Sequence, residues 1–253
     1  MATKKTKIRL DEALVGRQLA GDIRAARALI MSGAVIVAEQ RRDRSDFLVA
    51  DSDEIRLRNT RKYVSRGGEK LHEALAEFQL LAAMKDATVL DVGASTGGFT
   101  DCCLQLGASL VFAVEIGHNQ IDWKLRSHER VRSIEDTDIR SLSASDFPPI
   151  DWLVGDISFM AIAPIMGFLW GFKPKRGMIL LIKPQFELPA ERIPKGGVVG
   201  NEADHQLAID LVTAACGEAG IDPSLIRTVP SAVTGRAGNQ EYFALVSVSQ
   251  NLK

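Results

Sequence analysis

The stretch Asp91-Val-Gly-Ala-Ser-Thr-Gly-Gly-Phe-Thr-Asp101 decides the fold. The run before it, Ala87-Thr-Val-Leu90, is short and β-branched and reads as a buried strand. The run after it, Phe99 to Leu106, has helical spacing and stops at Gly107. Strand, glycine-rich turn and helix in that order open a nucleotide-cradling α/β sheet. The next apolar run, Leu110-Val-Phe-Ala-Val114, ends in Glu115, 24 residues beyond Asp91. An acid at the end of a second strand commonly grips ribose hydroxyls.

The turn discriminates between ribose ligands. A dinucleotide turn is Gly-x-Gly-x-x-Gly, with backbone N–H groups aimed at a pyrophosphate. Gly93 and Ser95 break that spacing, and Asp91 stands at the mouth of the turn, where a carboxylate repels phosphate. The same carboxylate suits a ligand with an ammonium group and no phosphate. S-adenosylmethionine (SAM), an amino acid with a cationic sulfonium, a ribose and an adenine, has that chemistry. The alternatives are a phosphate ligand and a turn with no ligand; the second sits poorly with an acid at the second strand end.

Working outward, apolar runs predict strands near 88–92, 110–115, 131–135, 151–156, 177–183, 225–230 and 241–248, alternating with helices. That alternation implies an α/β fold with a seven-stranded, mostly parallel, Rossmann-like sheet. The first 60 residues differ. Helices are expected over 8–15 and 22–31, the second with Asp22 as N-cap and Gly33 as C-cap, and strands over 34–37 and 53–57. Residues 1–6 read as a flexible basic tail, 61–70 as a linker, and a helix is expected from Leu71 to Phe78. The expected division is 1–60, a small α+β module; 61–70, linker; and 71–253, the large domain.

The chain has 253 residues and a net charge of −1, unevenly divided: residues 1–70 carry +6 and the rest −7. A basic module on an acidic body suggests a polyanion-binding appendage. Arg24 and Arg27 share a helix face, Arg41, Arg42 and Arg44 form a basic turn, and Arg61, Lys62 and Arg66 mark the junction. Cys102, Cys103 and Cys216 have no Cys-x-x-Cys spacing and no histidine cluster, so neither a disulfide framework nor a metal site is expected. The start lacks the apolar core of a secretory signal. The uncharged stretch Ile157 to Phe172 is 16 residues and contains Pro164, short of the ~20 that span a bilayer. It reads as a buried helix, and the protein as cytoplasmic with no stable membrane association.

In an open parallel sheet, ligands bind beyond the carboxyl ends of the strands. Asp156 closes Asp151-Trp-Leu-Val-Gly155, and Lys183 closes Gly177-Met-Ile-Leu-Leu-Ile182. Glu241 opens the last strand, and its start reaches the same rim if that strand is antiparallel. Lys70, past Gly67-Gly68, could reach it from the side. Taken singly, a charged strand end is most often just solvated. Together, acids and cations in a cleft suit activation of a hydroxyl nucleophile. A lysine poised by burial takes or stabilises the departing proton, and carboxylates orient the lysines.

These residues fall in motifs that resemble the TlyA-type members of the FtsJ-like ribosomal RNA methyltransferases, proteins also labelled hemolysins. The motifs are Val64-Ser-Arg-Gly-Gly68 with Lys70, Asp91 to Thr100, Asp156-Ile-Ser-Phe159, Lys183-Pro-Gln-Phe-Glu187, Gly196-Gly-Val-Val199 and Gly238-Asn-Gln-Glu-Tyr-Phe243. The resemblance covers nearly the whole chain. It implies 2′-O-methylation of a ribose, expected to be a cytidine, in ribosomal RNA or a ribosomal subunit. It also implies a catalytic Lys70, Asp156, Lys183 and Glu241 tetrad. The expected SAM contacts are Asp91, Gly93, Ala94, Ser95, Thr96, Gly97, Gly98, Phe99, Thr100, Glu115, Ile116, Asp138, Ile139 and Asp156. Asp91 would meet the amino group, Glu115 the ribose and Asp138 the adenine amine. The N-terminal module would be an S-four-type RNA-binding domain, with two departures. Ile23-Arg24 stands where Ser-Arg is usual, and Ala38-Glu39-Gln40 replaces an Asn-Gly hairpin. The rival readings are a membrane-active hemolysin, an RNA-binding protein with an inactive methyltransferase domain, and a small-molecule methyltransferase.

Overall fold

A computed structural model describes residues 7–58, 62–235 and 237–249; the tail 1–6 and Arg61 lie outside the described residues. The chain forms two compact units, Met1–Arg61 and Lys62–Lys253.

The first unit is built from β1 (Lys7–Arg9), α1 (Leu10–Gly16), α2 (Ile23–Met31), β2 (Val35–Val37), β3 (Gln40–Arg41), β4 (Leu48–Ala50) and β5 (Ile55–Leu57). The helix expected from Ile8 starts at Leu10 because Lys7–Arg9 pair antiparallel with Leu48–Ala50. Asp22 caps α2 as expected, accepting from the Ala25 N–H at 2.7 Å. Leu10, Leu14, Ala26, Ile30, Val35, Val37 and Val49 make the core. Order β3-β2-β5 makes a three-stranded sheet whose β2–β3 hairpin turns at Ala38 and Glu39, with φ of 47° and 61°. The hairpin thus forms without Asn-Gly, at the cost of two side-chain-bearing residues in the left-handed region.

The second unit holds α3 (Arg66–Glu77), β6 (Thr88–Val92), α4 (Gly98–Gln105), β7 (Leu110–Val114), α5 (Trp123–Arg126), β8 (Val131–Ile134) and β9 (Trp152–Gly155). Then follow α6 (Met166–Trp170), β10 (Gly177–Ile182), α7 (Pro184–Glu187), α8 (Glu202–Glu218), β11 (Ile226–Pro230) and β12 (Tyr242–Ser247). All seven expected strands join one sheet, in order β11-β12-β10-β9-β6-β7-β8. The neighbours from β10 to β8 pair parallel, and β12 runs antiparallel to both β10 and β11. The sheet is covered on both faces. Along β10, Ile179 and Leu181 join the core beneath α3 and α4, while Met178, Leu180 and Ile182 join the core beneath α6 and α8. That strict alternation is the period of two along a strand.

Two expectations are corrected here. α3 begins at Arg66, inside the stretch read as a linker, because Gly67 and Gly68 serve close packing rather than a turn. A Cβ on Gly68 would lie 2.8 Å from the Gly98 carbonyl oxygen, so α3 and α4 touch backbone to backbone. The stretch 157–172 is not one helix. Residues 157–162 are an irregular loop, a 3-10 turn over Ala163–Ile165 carries Pro164, and only Met166–Trp170 is α-helical. Proline is accepted in a first turn and not in a helix interior.

Candidate active site

Strand register places the charged strand ends on one rim. Ile182 pairs with Tyr242, so Lys183, one residue past β10, and Glu241, one before β12, adjoin across that antiparallel pair. Leu180 pairs with Gly155, so Asp156 leaves β9 beside the end of β10. Val92 pairs with Gly155 on one side and Val114 on the other, which continues the rim through Gly93 to Glu115. Lys70 arrives from α3, two residues beyond the Gly68–Gly98 contact.

The four tetrad candidates form two ion pairs. Lys70 Nζ donates to Glu241 Oε2 in a short contact, both side chains buried. Lys183 Nζ lies 2.5 Å from Asp156 Oδ1, and spends its hydrogen bonds on the Ile157 carbonyl at 3.1 Å and the Ser158 hydroxyl at 2.8 Å. Asp156 is the most open of the four, its side chain 27% exposed. Each cation is matched by a carboxylate. The tetrad half of the rim is therefore close to neutral, with both ammonium groups buried against their carboxylates.

The other half, at the glycine turn, carries two carboxyl groups. Asp91 is fully buried; its Oδ2 accepts the Thr100 hydroxyl at 2.6 Å and its Oδ1 has no partner among the described residues. Burial pushes its carboxyl from 3.8 up to about 7; the Thr100 bonds oppose this, and the charges of Asp156 and Glu115 add to it. An orphaned carboxylate oxygen beneath a glycine turn fits an ammonium donor. Glu115 Oε2 accepts the Ser95 N–H at 2.8 Å and Oε1 the Gly117 N–H at 2.7 Å. Each oxygen keeps a lone pair, so the pair of ribose hydroxyls fits as well.

The turn does not suit a phosphate. The N–H groups of Gly93 and Ala94 both go to the Val114 carbonyl, Gly97 N–H to the Ala94 carbonyl, and Ser95 N–H to Glu115. These four donors are spent inside the protein, and two carboxylates border them. Gly97, at φ 91°, holds the left-handed position that starts α4.

The remaining candidates divide. Ile116 is exposed beside Glu115, and Thr96 is exposed on the turn. Phe99 is a core residue, its ring 6.0 Å from that of Phe243, and Thr100 reaches the site only by holding Asp91. Ile139 is buried in the core beneath α6 and α8. Asp138 is gripped by Arg140 through Nε and Nη2, which lowers its pKa. Sequence reasoning gave no role to Ser158, which holds Lys183, or to Phe159, which is 93% exposed at φ 68°. The lone signal for either is position within Asp156-Ile-Ser-Phe159.

In the basic module, Arg27 bonds the buried Asp11 at 2.9 Å, Arg44 pairs with Asp46, and Arg42 lies 4.4 Å over the Phe47 ring. Arg24 is exposed, and Arg41 lies over Gly33; neither has a carboxylate partner among the described residues. In the second unit, Lys62 stands beside His72 and Arg66 is half-buried on the first turn of α3.

The sequence pattern of a family described as FtsJ-like methyltransferase matches residues 63–247. Hemolysin A of Brachyspira hyodysenteriae is 34% identical over 244 residues, 94% of this chain and 98% of that protein. The 16S/23S rRNA (cytidine-2'-O)-methyltransferase TlyA of Mycobacterium tuberculosis is 33% identical over 241 residues, 94% of this chain and 88% of that one. A solved structure of a "putative hemolysin" from Streptococcus thermophilus superposes with a TM-score of 0.69 at 34% identity, covering 97% of this chain and 90% of that chain.

Proposed function

The chain belongs to the FtsJ-like methyltransferase family, and from that premise we propose that it methylates the 2′-hydroxyl of a ribose in ribosomal RNA, with SAM as donor. A cytidine is the proposed target, as in the name of the TlyA relative. The observation that carries this reading is the rim itself. Two lysine–carboxylate pairs stand next to a glycine turn whose buried Asp91 lacks a partner on one oxygen.

When bound, SAM supplies an electrophilic methyl group. The chain's residues do the rest. Asp91 binds the amino group, Glu115 the ribose, and Ile116 offers apolar surface to the adenine. Asp138 takes the adenine amine by sharing its carboxylate with Arg140. Lys183 in its neutral form accepts the proton leaving the ribose hydroxyl, or as the ammonium stabilises the alkoxide while that proton passes to water, and Asp156 and Glu241 orient and balance the two lysines. Most of the rate comes from positioning and field. Phe159 offers an exposed aromatic face, and unpaired bases stack on such faces. Residues 1–60 act as an S-four-type module that grips phosphates through Arg24 and Arg41 first, with 61–70 as the junction.

The test is transfer of a labelled methyl group from SAM to ribosomal subunits of a strain lacking the enzyme. The expected product carries the label on one ribose 2′-oxygen. Label on a base, or none, overturns the reading. Membrane lysis is the rival activity. No helix among the described residues is long and apolar enough to cross a membrane. Dye release from lipid vesicles by the purified protein would favour lysis.

A further inference from the structure

The loop that leaves β9 at Asp156 is irregular up to Ala163, and it is fastened at both ends by one turn of chain. At its entry, Lys183 Nζ donates to the Ile157 carbonyl and the Ser158 hydroxyl. At its exit, Glu187 Oε1 accepts the Ile162 N–H at 2.8 Å, and Oε2 the Ala163 N–H at 3.2 Å. Lys183 and Glu187 face the loop together because they lie four residues apart on the turn opened by Pro184, closed by Glu187 N–H to the Lys183 carbonyl at 3.2 Å. Glu187 is 9% exposed and makes no ion pair among the described residues. Burial raises its carboxyl pKa, against the pull of the two N–H bonds.

A buried carboxylate without a cation is costly, and a neutral side chain or water can satisfy two N–H groups at a helix start. Here the carboxylate holds both donors at once, at the exit of the loop. We propose that Glu187 is a positioning residue for methyl transfer, acting through the 156–163 loop on the hydrogen bonds that aim Lys183. This rests on the methyltransferase reading above. Among the described residues, the Glu187 carboxylate bonds only the Ile162 and Ala163 N–H groups, and no side chain of the tetrad.

Glu187→Ala removes the exit clamp, and Glu187→Gln keeps one acceptor while turning an amide N–H₂ against the other donor. Two measurements decide. The first is amide hydrogen exchange, which should accelerate at Ile162 and Ala163 in both variants by at least about tenfold, as expected when a local opening becomes easier. The second is single-turnover methyl transfer at saturating RNA and SAM, with SAM affinity measured alongside. Both variants should slow the chemical step by about 10- to 100-fold, with SAM affinity within about twofold of wild type and Glu187→Gln the milder. On a Lys183→Ala background the Glu187→Ala penalty should shrink to about twofold or less, since coupled residues are non-additive. Should Glu187→Ala fail to fold, Glu187→Gln carries the same comparison. Unchanged exchange, an unchanged rate, a parallel loss of SAM affinity, or a full penalty on the Lys183→Ala background each overturns the proposal. If wild type methylates no RNA, the functional reading fails, while the exchange arm still decides the clamp.

Discussion

The basic N-terminal unit and the rim of the large sheet both drew attention through their charges, and the structure treats the two sets differently. On the rim, residues far apart in sequence converge because strand register aligns the strand ends and α3 packs beside them; Glu241 and Lys70, the latter from α3, meet across 171 positions. In the first unit, charges chosen for their density are largely consumed at home. Arg27 serves the buried Asp11 and Arg44 serves Asp46. A polar residue ending an apolar strand has its location set by the strand. A surface arginine has only its neighbourhood, and a nearby carboxylate competes with any phosphate for it.

The largest expected effect tests the rim. Lys183→Ala and Lys183→Arg should each lose about 100- to 10,000-fold in single-turnover rate, with fold and SAM binding retained, the scale of lost proton-transfer help. Guanidinium stays protonated, so a Lys183→Arg enzyme at near wild-type rate would reduce Lys183 to an electrostatic clamp.

Asp91 is next. Asp91→Asn should weaken SAM binding by about 1.5–3 kcal/mol, the worth of a charge-assisted hydrogen bond. The pH dependence has a definite sign. Free Asp91 holds its proton until about pH 7, and the ammonium of the ligand needs the ionised carboxylate. SAM affinity should therefore rise as pH climbs toward 7, then fall as the ligand amine deprotonates near about 8. Calorimetry across this range should show the rise in wild type and not in Asp91→Asn. The sign for stability is opposite. A carboxyl raised in the folded state stabilises the protein below the ordinary carboxylate value, and that contribution is lost as pH rises through about 7.

The comparison of arginines sharpens at the first unit. Arg24→Ala with Arg41→Ala should lower the log–log salt slope of single-stranded RNA binding by about 1.4, two phosphates' worth. Arg27→Ala should instead lower the melting temperature by stripping Asp11 of a partner, with a smaller change in slope. If the two variants are indistinguishable, ion pairing inside the unit does not decide which arginines meet RNA. The smallest effect is Ala38→Gly, which should stabilise this unit by about 0.5–1 kcal/mol in chemical denaturation by relieving a left-handed residue.

Much of this was legible beforehand. The seven strands are short apolar runs bounded by turns, and local pattern is enough to find them. Asp22 declared itself as a cap. Lys7–Arg9 and Leu48–Ala50 did not, since each is held by pairing with the other across some forty positions, and the two-residue strand at Gln40 did not because its hairpin turns at Ala38-Glu39 without an Asn-Gly signal. The start of α3 was hidden for a related reason. Gly67 and Gly68 look like a turn until Gly98 is seen against them. The stretch Ile157 to Phe172 is apolar enough for a helix, but its first residues are bound to Lys183 and Glu187.

By itself, the sequence determined the alternation of strand and helix, the glycine turn between Asp91 and Thr100, and which polar residues end apolar strands. Those properties depend on near neighbours and on a period of two or 3.6 residues. Only the tertiary structure decided that Lys70 pairs with Glu241 and Lys183 with Asp156, that the turn has already spent four of its N–H donors, and that Asp91 keeps one oxygen without a partner. Each of these depends on strand order, helix approach and burial, which join residues separated by tens to hundreds of positions and leave no local periodic signal.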